Sequence, residues 1–198
     1  MTQWNVLDLY HGDNKEEIPD YVGLKAIGCR GIIHKCTQGS NYADPLFAAR
    51  ITAAVGAGLQ VAAYHFGDNS PVQNQIANFH RHNLGLFSFL DFEHNANSTM
   101  TLAQARAFMV AMPIPAIYGS DMIKENAKAL SLALAPALYP WLWIAQYGPV
   151  MSIPSPWSAL STIGWQFSET GGVKGIAGHI DLNYFPDLSR WGKPCNTL

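Results

Sequence analysis

Charge is scarce in this sequence: Asp, Glu, Lys and Arg together make up 13% of 198 residues, well under the usual quarter. Disorder requires low hydrophobicity and abundant charge, and a chain that is 48% hydrophobic has the reverse of both. No basic run occurs, and 12 Lys+Arg against 14 Asp+Glu leave a net charge of −2. A nucleic-acid partner is therefore not expected, because such partners are met by clustered positive charge. Long apolar runs are missing as well. The richest, residues 127–143, is broken by Lys128, Pro136 and Pro140, so no membrane span is expected. Cysteine is limited to Cys29, Cys36 and Cys195, an odd number without metal-ligand spacing. The expectation is buried or free thiols in a protein made in a reducing compartment. The opening residues, Met1-Thr2-Gln3-Trp4-Asn5-Val6-Leu7-Asp8, carry no basic stretch leading into an apolar one, so no secretory leader is evident.

What is present is apolar and aromatic. The length suits a single domain, 1–198, able to bury a sizeable core. So little charge lets many elements be covered on both faces, as parallel strands under helices are. Aromatics reach 12%, with 6 Trp, and their flat faces serve equally to pack a core or to stack on sugars.

Along the chain, short apolar runs alternate with helix-like segments. Residues 4–9 and 31–36 predict strands, with a weak helix over 18–27 between them. Asp44-Pro45 predicts a capped helix start, followed by Phe47, Ala48, Ile51, Ala54 and Val55 at helical spacing and a stop at Gly58. A strand over 60–66, a helix opened by Ser70-Pro71, a strand over 86–93 and a helix over 101–112 follow. Residues 116–118 predict a strand, and Asp121 caps a helix reaching about Leu134. Alternation then stops: 141–147, 163–167 and 178–182 read as strands joined by Pro- and Gly-rich loops. The expected class is α/β, a modified TIM-like barrel of about five β/α units followed by three bare strands.

The sharpest local feature is Phe89-Leu90-Asp91-Phe92-Glu93. Strand side chains alternate, so Asp91 and Glu93 share a face above Phe87 and Phe89, their α-carbons about 6–7 Å apart. Two acids on one apolar face repel and lose solvation. Glycoside hydrolysis needs such a pair, one carboxyl to protonate the leaving oxygen and one to stabilise positive charge. Taken alone, each acid also reads as a solvated loop residue or a helix cap. Asp8 and Asp181, at the ends of the first and last strands, change that reading. A barrel makes those strands neighbours, and parallel strands present their C-terminal ends to one mouth, where four acids would meet.

These residues resemble glycoside hydrolase family 25, the Chalaropsis-type muramidases. The likeness runs from Val6 to Phe185 through ordered pieces: Gly31-Ile-Ile-His-Lys-Cys-Thr-Gln-Gly39, Ala57-Gly58-Leu59 with Tyr64-His65-Phe66, Leu90-Asp91-Phe92-Glu93, Ile117-Tyr118, and Leu142-Trp143-Ile144-Ala145-Gln146-Tyr147. Trp165-Gln166-Phe167 and Gly175-Ile176-Ala177-Gly178-His179-Ile180-Asp181-Leu182-Asn183 complete the set. The resemblance implies hydrolysis, with retention, of the β-1,4 bond from N-acetylmuramic acid to N-acetylglucosamine in peptidoglycan. It carries the proton donor to Glu93, the partner acid to Asp91 and two further cleft acids to Asp8 and Asp181. It suggests Tyr64, Tyr118, Trp143, Tyr147 and Trp165 as substrate-lining aromatics, and implies no cofactor. Two departures stand out. The family's Asp-x-Ser is here Asp8-Leu9-Tyr10, and its Lys-Ala-Thr-Glu-Gly is Lys35-Cys36-Thr37-Gln38-Gly39, which loses a carboxylate.

In the resulting expectation Glu93 is the general acid and base, and Asp91 supports the substrate's acetamido group as it attacks the anomeric carbon. Asp8 and Asp181 tune Asp91. The partner is the peptidoglycan glycan strand, met by a monomer that reaches the wall after release or delivery by another system, as a phage endolysin or an effector does. Two other readings use the same residues. A metal-dependent barrel deacetylase or amidase would use some of the seven His, but no His-x-His strand or His-Glu-x-x-His occurs, and His80-Arg81-His82 lies in a helix where such a pair faces apart. His65 and His94 approach the expected mouth as hydrogen-bonding residues. A non-catalytic glycan-binding barrel is the other, opposed by the presence of all four acids; among glycosidases themselves, a glucosaminidase cutting the alternate bond is the remaining reading.

Overall fold

A computed structural model describes residues 4–131 and 139–193. Its nine strands are β1 (Val6–Leu9), β2 (Gly31–Gln38), β3 (Tyr42–Ala43), β4 (Gln60–Phe66), β5 (Ser88–Asp91), β6 (Ala116–Gly119), β7 (Trp141–Ala145), β8 (Thr162–Gly171) and β9 (Ile180–Tyr184). The helices are α1 (Tyr21–Ala26), α2 (Phe47–Gly56), α3 (Val72–His82), α4 (Leu102–Val110) and α5 (Asp121–Ser131). The sheet runs β1-β9-β8-β7-β6-β5-β4-β2, and pairing of β1 with β2 closes it into a barrel, with β3 as a short appendage on β2. Five strand–helix units precede three bare strands, as the alternation predicts. Among the described residues no helix is long and apolar enough to cross a membrane.

Period-two alternation sorts the side chains. Leu7, Leu9, Ile32, Leu90, Ile117, Leu142 and Ile144 face the helices, whereas Val6, Ile33, Ala62, Phe89, Ala116 and Trp141 fill the barrel with Phe185. One inward position further along each strand, this apolar plug gives way to Asp8, Lys35, Tyr64, Asp91 and Tyr118. The polar layer therefore rests on a dry floor. Gly164 belongs to that floor: any Cβ there would collide with the Phe185 ring, so only glycine admits the plug.

The last strand differs from expectation. β9 runs antiparallel to both β1 and β8. Its start, not its end, lies at the mouth, and Asp181 pairs directly with Asp8. Convergence of the two acids holds, but by an antiparallel return.

Helix starts also differ in detail. Asp44 does not cap α2: its carboxylate accepts the amides of Leu46 (3.0 Å) and His11 (2.8 Å), and α2 begins at Phe47. Ser70 donates its hydroxyl to Asp68, and Pro71 flanks α3 without a side-chain cap. Asp121 is the first residue of α5 rather than its flanking cap, where its charge still complements the helix N-terminus. The expected helix end at Leu134, and Cys195, lie outside the described residues; Cys29 and Cys36 are buried free thiols.

Arg50 of α2 is fully buried, yet among the described residues its guanidinium donates only to uncharged acceptors, including the carbonyls of Tyr10 (2.7 Å), Asp13 (2.7 Å) and Glu17 (2.6 Å). It holds the loop that follows β1 and so fixes Tyr10 at the mouth. Arg50→Leu would strand these carbonyls without donors, and we expect a stability loss of about 3 kcal/mol or more in urea unfolding. A loss below about 1 kcal/mol would show that the loop is held by other contacts.

Candidate active site

A cleft of about 230 Å³ opens at the mouth of the barrel, lined by Asp8, Tyr10, Lys35, Tyr64, Phe66, Asp91, Glu93, Tyr118, Trp143 and Asp181. All four predicted acids are brought together. Asp8 comes from β1, Asp91 closes β5, Glu93 follows two residues later, and Asp181 lies near the start of β9.

Asp8 and Asp181 are tied by two amide side chains. Gln166 Nε2 donates to Asp8 Oδ2 and to Asp181 Oδ2, both at 3.2 Å, while its Oε1 accepts from Tyr118 (2.8 Å) and Tyr147 (3.3 Å). Asn183 Nδ2 donates to Asp8 at 2.7 Å, and its Oδ1 accepts the Trp143 indole at 3.0 Å. The hydroxyl and indole donors fix which way each amide points, leaving its NH₂ for the acids. Burial pushes Asp8 up to about 6 against these bonds, and pushes Asp181, with the repulsion of Asp8, up to about 9. Asp181 therefore holds a proton at neutral pH and donates it to Asp8. Two like charges on directly paired residues of a partly buried cleft do not readily coexist.

Asp91 is 5% exposed and its Oδ1 has no hydrogen-bond partner among the described residues. Burial, then the repulsion of Glu93, drive its carboxyl well up, opposed by the attraction of Lys35. Glu93 is only partly buried, and burial with repulsion from Asp181, Glu169 and Asp121 brings it to about 7. An acid near 7 both gives and takes a proton close to neutrality.

The aromatics divide. Tyr64, Tyr118 and Trp143 line the cleft, and burial raises both tyrosines well above the ordinary phenol range. Tyr147 is half exposed and touches the site through Gln166. Trp165 is a correction: it packs on the helix side with Leu142, Ile144 and Trp157, and its indole donates to the Gln146 carbonyl at 2.7 Å. One extra residue of β8 sits between the pairs Leu142–Thr162 and Trp143–Gly164, which turns Gln166 inward and Trp165 outward. His65 also faces the helices, bonded to Thr37 (2.8 Å) and Gln75 (3.0 Å); His94 lies in a smaller pocket with Glu93, Ser120, Asp121 and Met122. Among the described residues no three His, Cys, Asp or Glu side chains are disposed to hold a metal ion. Residue-by-residue reading missed Gln166, Asn183, Lys35, Tyr10 and Phe66 as parts of the site. Gln166 and Asn183 stood in the quoted motifs, and Lys35 lies on the inward face of β2, so each carried a signal.

The protonated Asp181 has a consequence for stability. The folded state keeps a proton that the unfolded chain releases above about pH 4, so this group's contribution is full below that pH and is lost as pH rises through about 9. Asp181→Asn keeps the shape and removes the titration. Its melting temperature should exceed that of the parent by a margin small at pH 5 and larger at pH 8, read by calorimetry. An equal margin at both would contradict the assigned protonation.

The sequence model of glycosyl hydrolases family 25 matches residues 7–176. The chain is 25% identical over 194 residues to the autolytic lysozyme of Clostridium acetobutylicum, covering 91% of this chain and 55% of that protein. It is 29% identical over 188 residues to lysozyme M1 of Streptomyces globisporus, covering 84% and 63% respectively. The chain thus spans between half and two-thirds of these curated relatives. The crystal structure of the bacterial lysozyme from Streptomyces coelicolor superimposes with a TM-score of 0.77 at 24% identity, covering 96% of each chain, and so shares the fold.

Proposed function

The chain belongs to glycosyl hydrolases family 25, and from that premise we propose that it is a 1,4-β-N-acetylmuramidase cutting the bond from N-acetylmuramic acid to N-acetylglucosamine in peptidoglycan, with retention. The observation that carries this reading is the contrast between two neighbouring acids in one cleft. Glu93 is partly open and pushed up to about 7 by burial and neighbouring acids, whereas Asp91 is buried with an oxygen that has no donor among the described residues.

A sugar seated above Asp91 brings its acetamido N–H to that oxygen. The acetamido carbonyl oxygen then bonds to the anomeric carbon as the glycosidic C–O bond breaks, and Glu93 passes its proton to the departing hydroxyl. In the second step water attacks the same carbon, Glu93 takes the water's proton, and the amide is restored. Two inversions give retention. Once Glu93 holds its proton, its repulsion no longer opposes ionisation of Asp91, and Asp91 in its ionised form accepts the N–H and balances the positive charge of the cyclic intermediate. Asp8 and Asp181 share one proton beside it and so avoid a full cluster of negative charge. Tyr64, Tyr118 and Trp143 shape the cleft. We propose that the protein acts as a monomer on the wall, after release or delivery.

Digested peptidoglycan reduced with borohydride tests the bond cleaved. Muramitol as the new end group is expected. Glucosaminitol would make the enzyme a glucosaminidase, and no new ends would remove the hydrolytic reading.

A further inference from the structure

At about 230 Å³ the cleft is smaller than the roughly 300–1,000 Å³ of an ordinary ligand pocket. A glycan strand seated in it must also rest on the rim. Among the described residues the exposed aromatics are Tyr10, Tyr147 and Tyr184, and of these Tyr10 alone lines the cleft, 42% exposed. It stands where the family's Asp-x-Ser has its serine, so the ring departs from that pattern.

Backbone and ring are both held. The Tyr10 amide donates to the Asp13 carboxylate at 2.8 Å, and its carbonyl accepts the buried Arg50 guanidinium at 2.7 Å. The His11 ring stands edge-on to the Tyr10 ring, with centroids 5.3 Å apart and planes at 88°. His11 is itself pinned, its amide donating to Asp44 at 2.8 Å and its Nδ1 lying 2.8 Å from the Tyr42 hydroxyl. The outer end of the Tyr10 ring lies against Gly12, where a Cβ would come within 2.7 Å of ring atoms and hydroxyl. A ring so fixed has little freedom left to lose on binding.

Its place on the rim gives it a side of the substrate. Tyr10 follows β1 and Glu93 follows β5, strands separated by β2 and β4 one way round the barrel and by four strands the other. The ring therefore stands well across the mouth from Glu93. With the scissile oxygen at Glu93 and the cleaved sugar above Asp91, the half of the strand running toward Tyr10 is the half on the non-reducing side.

We propose that the Tyr10 ring is a binding platform for the glycan strand, stacked against the sugar that precedes the cleaved N-acetylmuramic acid on its non-reducing side, an N-acetylglucosamine. The inference rests on the muramidase reading for the identity of that sugar. In a β-1,4-linked pyranose of this kind the substituents lie equatorial, which leaves faces lined by C–H bonds. Such a face is flat and apolar, and its C–H hydrogens meet the electron-rich face of an aromatic ring favourably. The contact is the same before and during bond breaking, so it strengthens binding without speeding the chemical step.

Four variants of the full chain test this. Tyr10→Ala removes the ring, and Tyr10→Phe and Tyr10→Trp keep one. Gly12→Ala leaves Tyr10 in the sequence but pushes its ring aside; Gly12 has φ −73° and ψ −16°, which alanine adopts without strain. On soluble glycan strands Tyr10→Ala should raise KM about tenfold with kcat within about twofold, and Gly12→Ala should raise KM by less. Tyr10→Phe and Tyr10→Trp should stay within about twofold of the parent. On an aryl glycoside of N-acetylmuramic acid, which offers no preceding sugar, all four should match the parent. A ring needed only to hold its loop would depress both substrates alike, and a contact made by the hydroxyl would be lost in Tyr10→Phe as in Tyr10→Ala; either result overturns the proposal. Binding without turnover is read by calorimetry with the same strands in a Glu93→Gln background, where adding Tyr10→Ala should raise Kd about tenfold. An unchanged Kd overturns the platform. A strand that the parent binds through Tyr10 but never cuts would sink the muramidase reading and keep the platform.

Discussion

Glu93→Gln should fold as the parent does and lose about three orders of magnitude or more in kcat on peptidoglycan. Gln matches Glu in shape and has no acidic proton to give. A sugar alkoxide is a poor leaving group, so its departure without a proton carries most of the barrier. The loss should shrink sharply on an aryl glycoside of the same sugar, whose leaving phenolate needs little protonation. A structural defect would depress both substrates alike. The variant also sheds a carboxyl that burial and neighbouring acids hold near 7, so its melting temperature at pH 8 should match or exceed the parent's. Near-normal turnover of peptidoglycan by a folded Glu93→Gln protein would remove Glu93 from the chemistry.

Asp91→Asn should be nearly as damaging, with kcat lowered by about two to three orders of magnitude and KM changed little. Asparagine keeps the volume but presents a neutral amide, so the positive charge formed on the acetamido group meets no counter-charge. The site is dry, with Asp91 5% exposed, and a missing charge there is not replaced by water. Unlike the Glu93 variant, this one should gain little from a better leaving group, because the defect lies in the attacking amide. Retention of most activity would show that the acetamido group works without Asp91, or that another carboxylate attacks directly.

Most of the architecture was legible because period-two strand segments alternate with segments of helical spacing. Leu90 and Phe92 alternate with Asp91 and Glu93, and that alternation alone put both acids on one face. The direction of β9 was not legible. Its residues read equally well either way, and the reversal is set by the antiparallel pairing of β9 with β8. Trp165 was suggested by the family resemblance; the residue inserted in β8 that turns it to the helix side carries no composition signal. Lys35 was quoted for its motif alone. That it shares a cleft with Asp91 depends on how the barrel closes, which no local pattern expresses.

The central claim is that Glu93 and Asp91 together cleave a muramic glycoside through the substrate's own acetamido group. Proton NMR of the anomeric region, followed from the first seconds of digestion of a soluble glycan strand, reads both the bond and the stereochemistry. The account predicts that the first reducing end to appear is N-acetylmuramic acid in the β configuration, relaxing later to the α/β mixture. First appearance of the α anomer, or of N-acetylglucosamine as the reducing sugar, would contradict it.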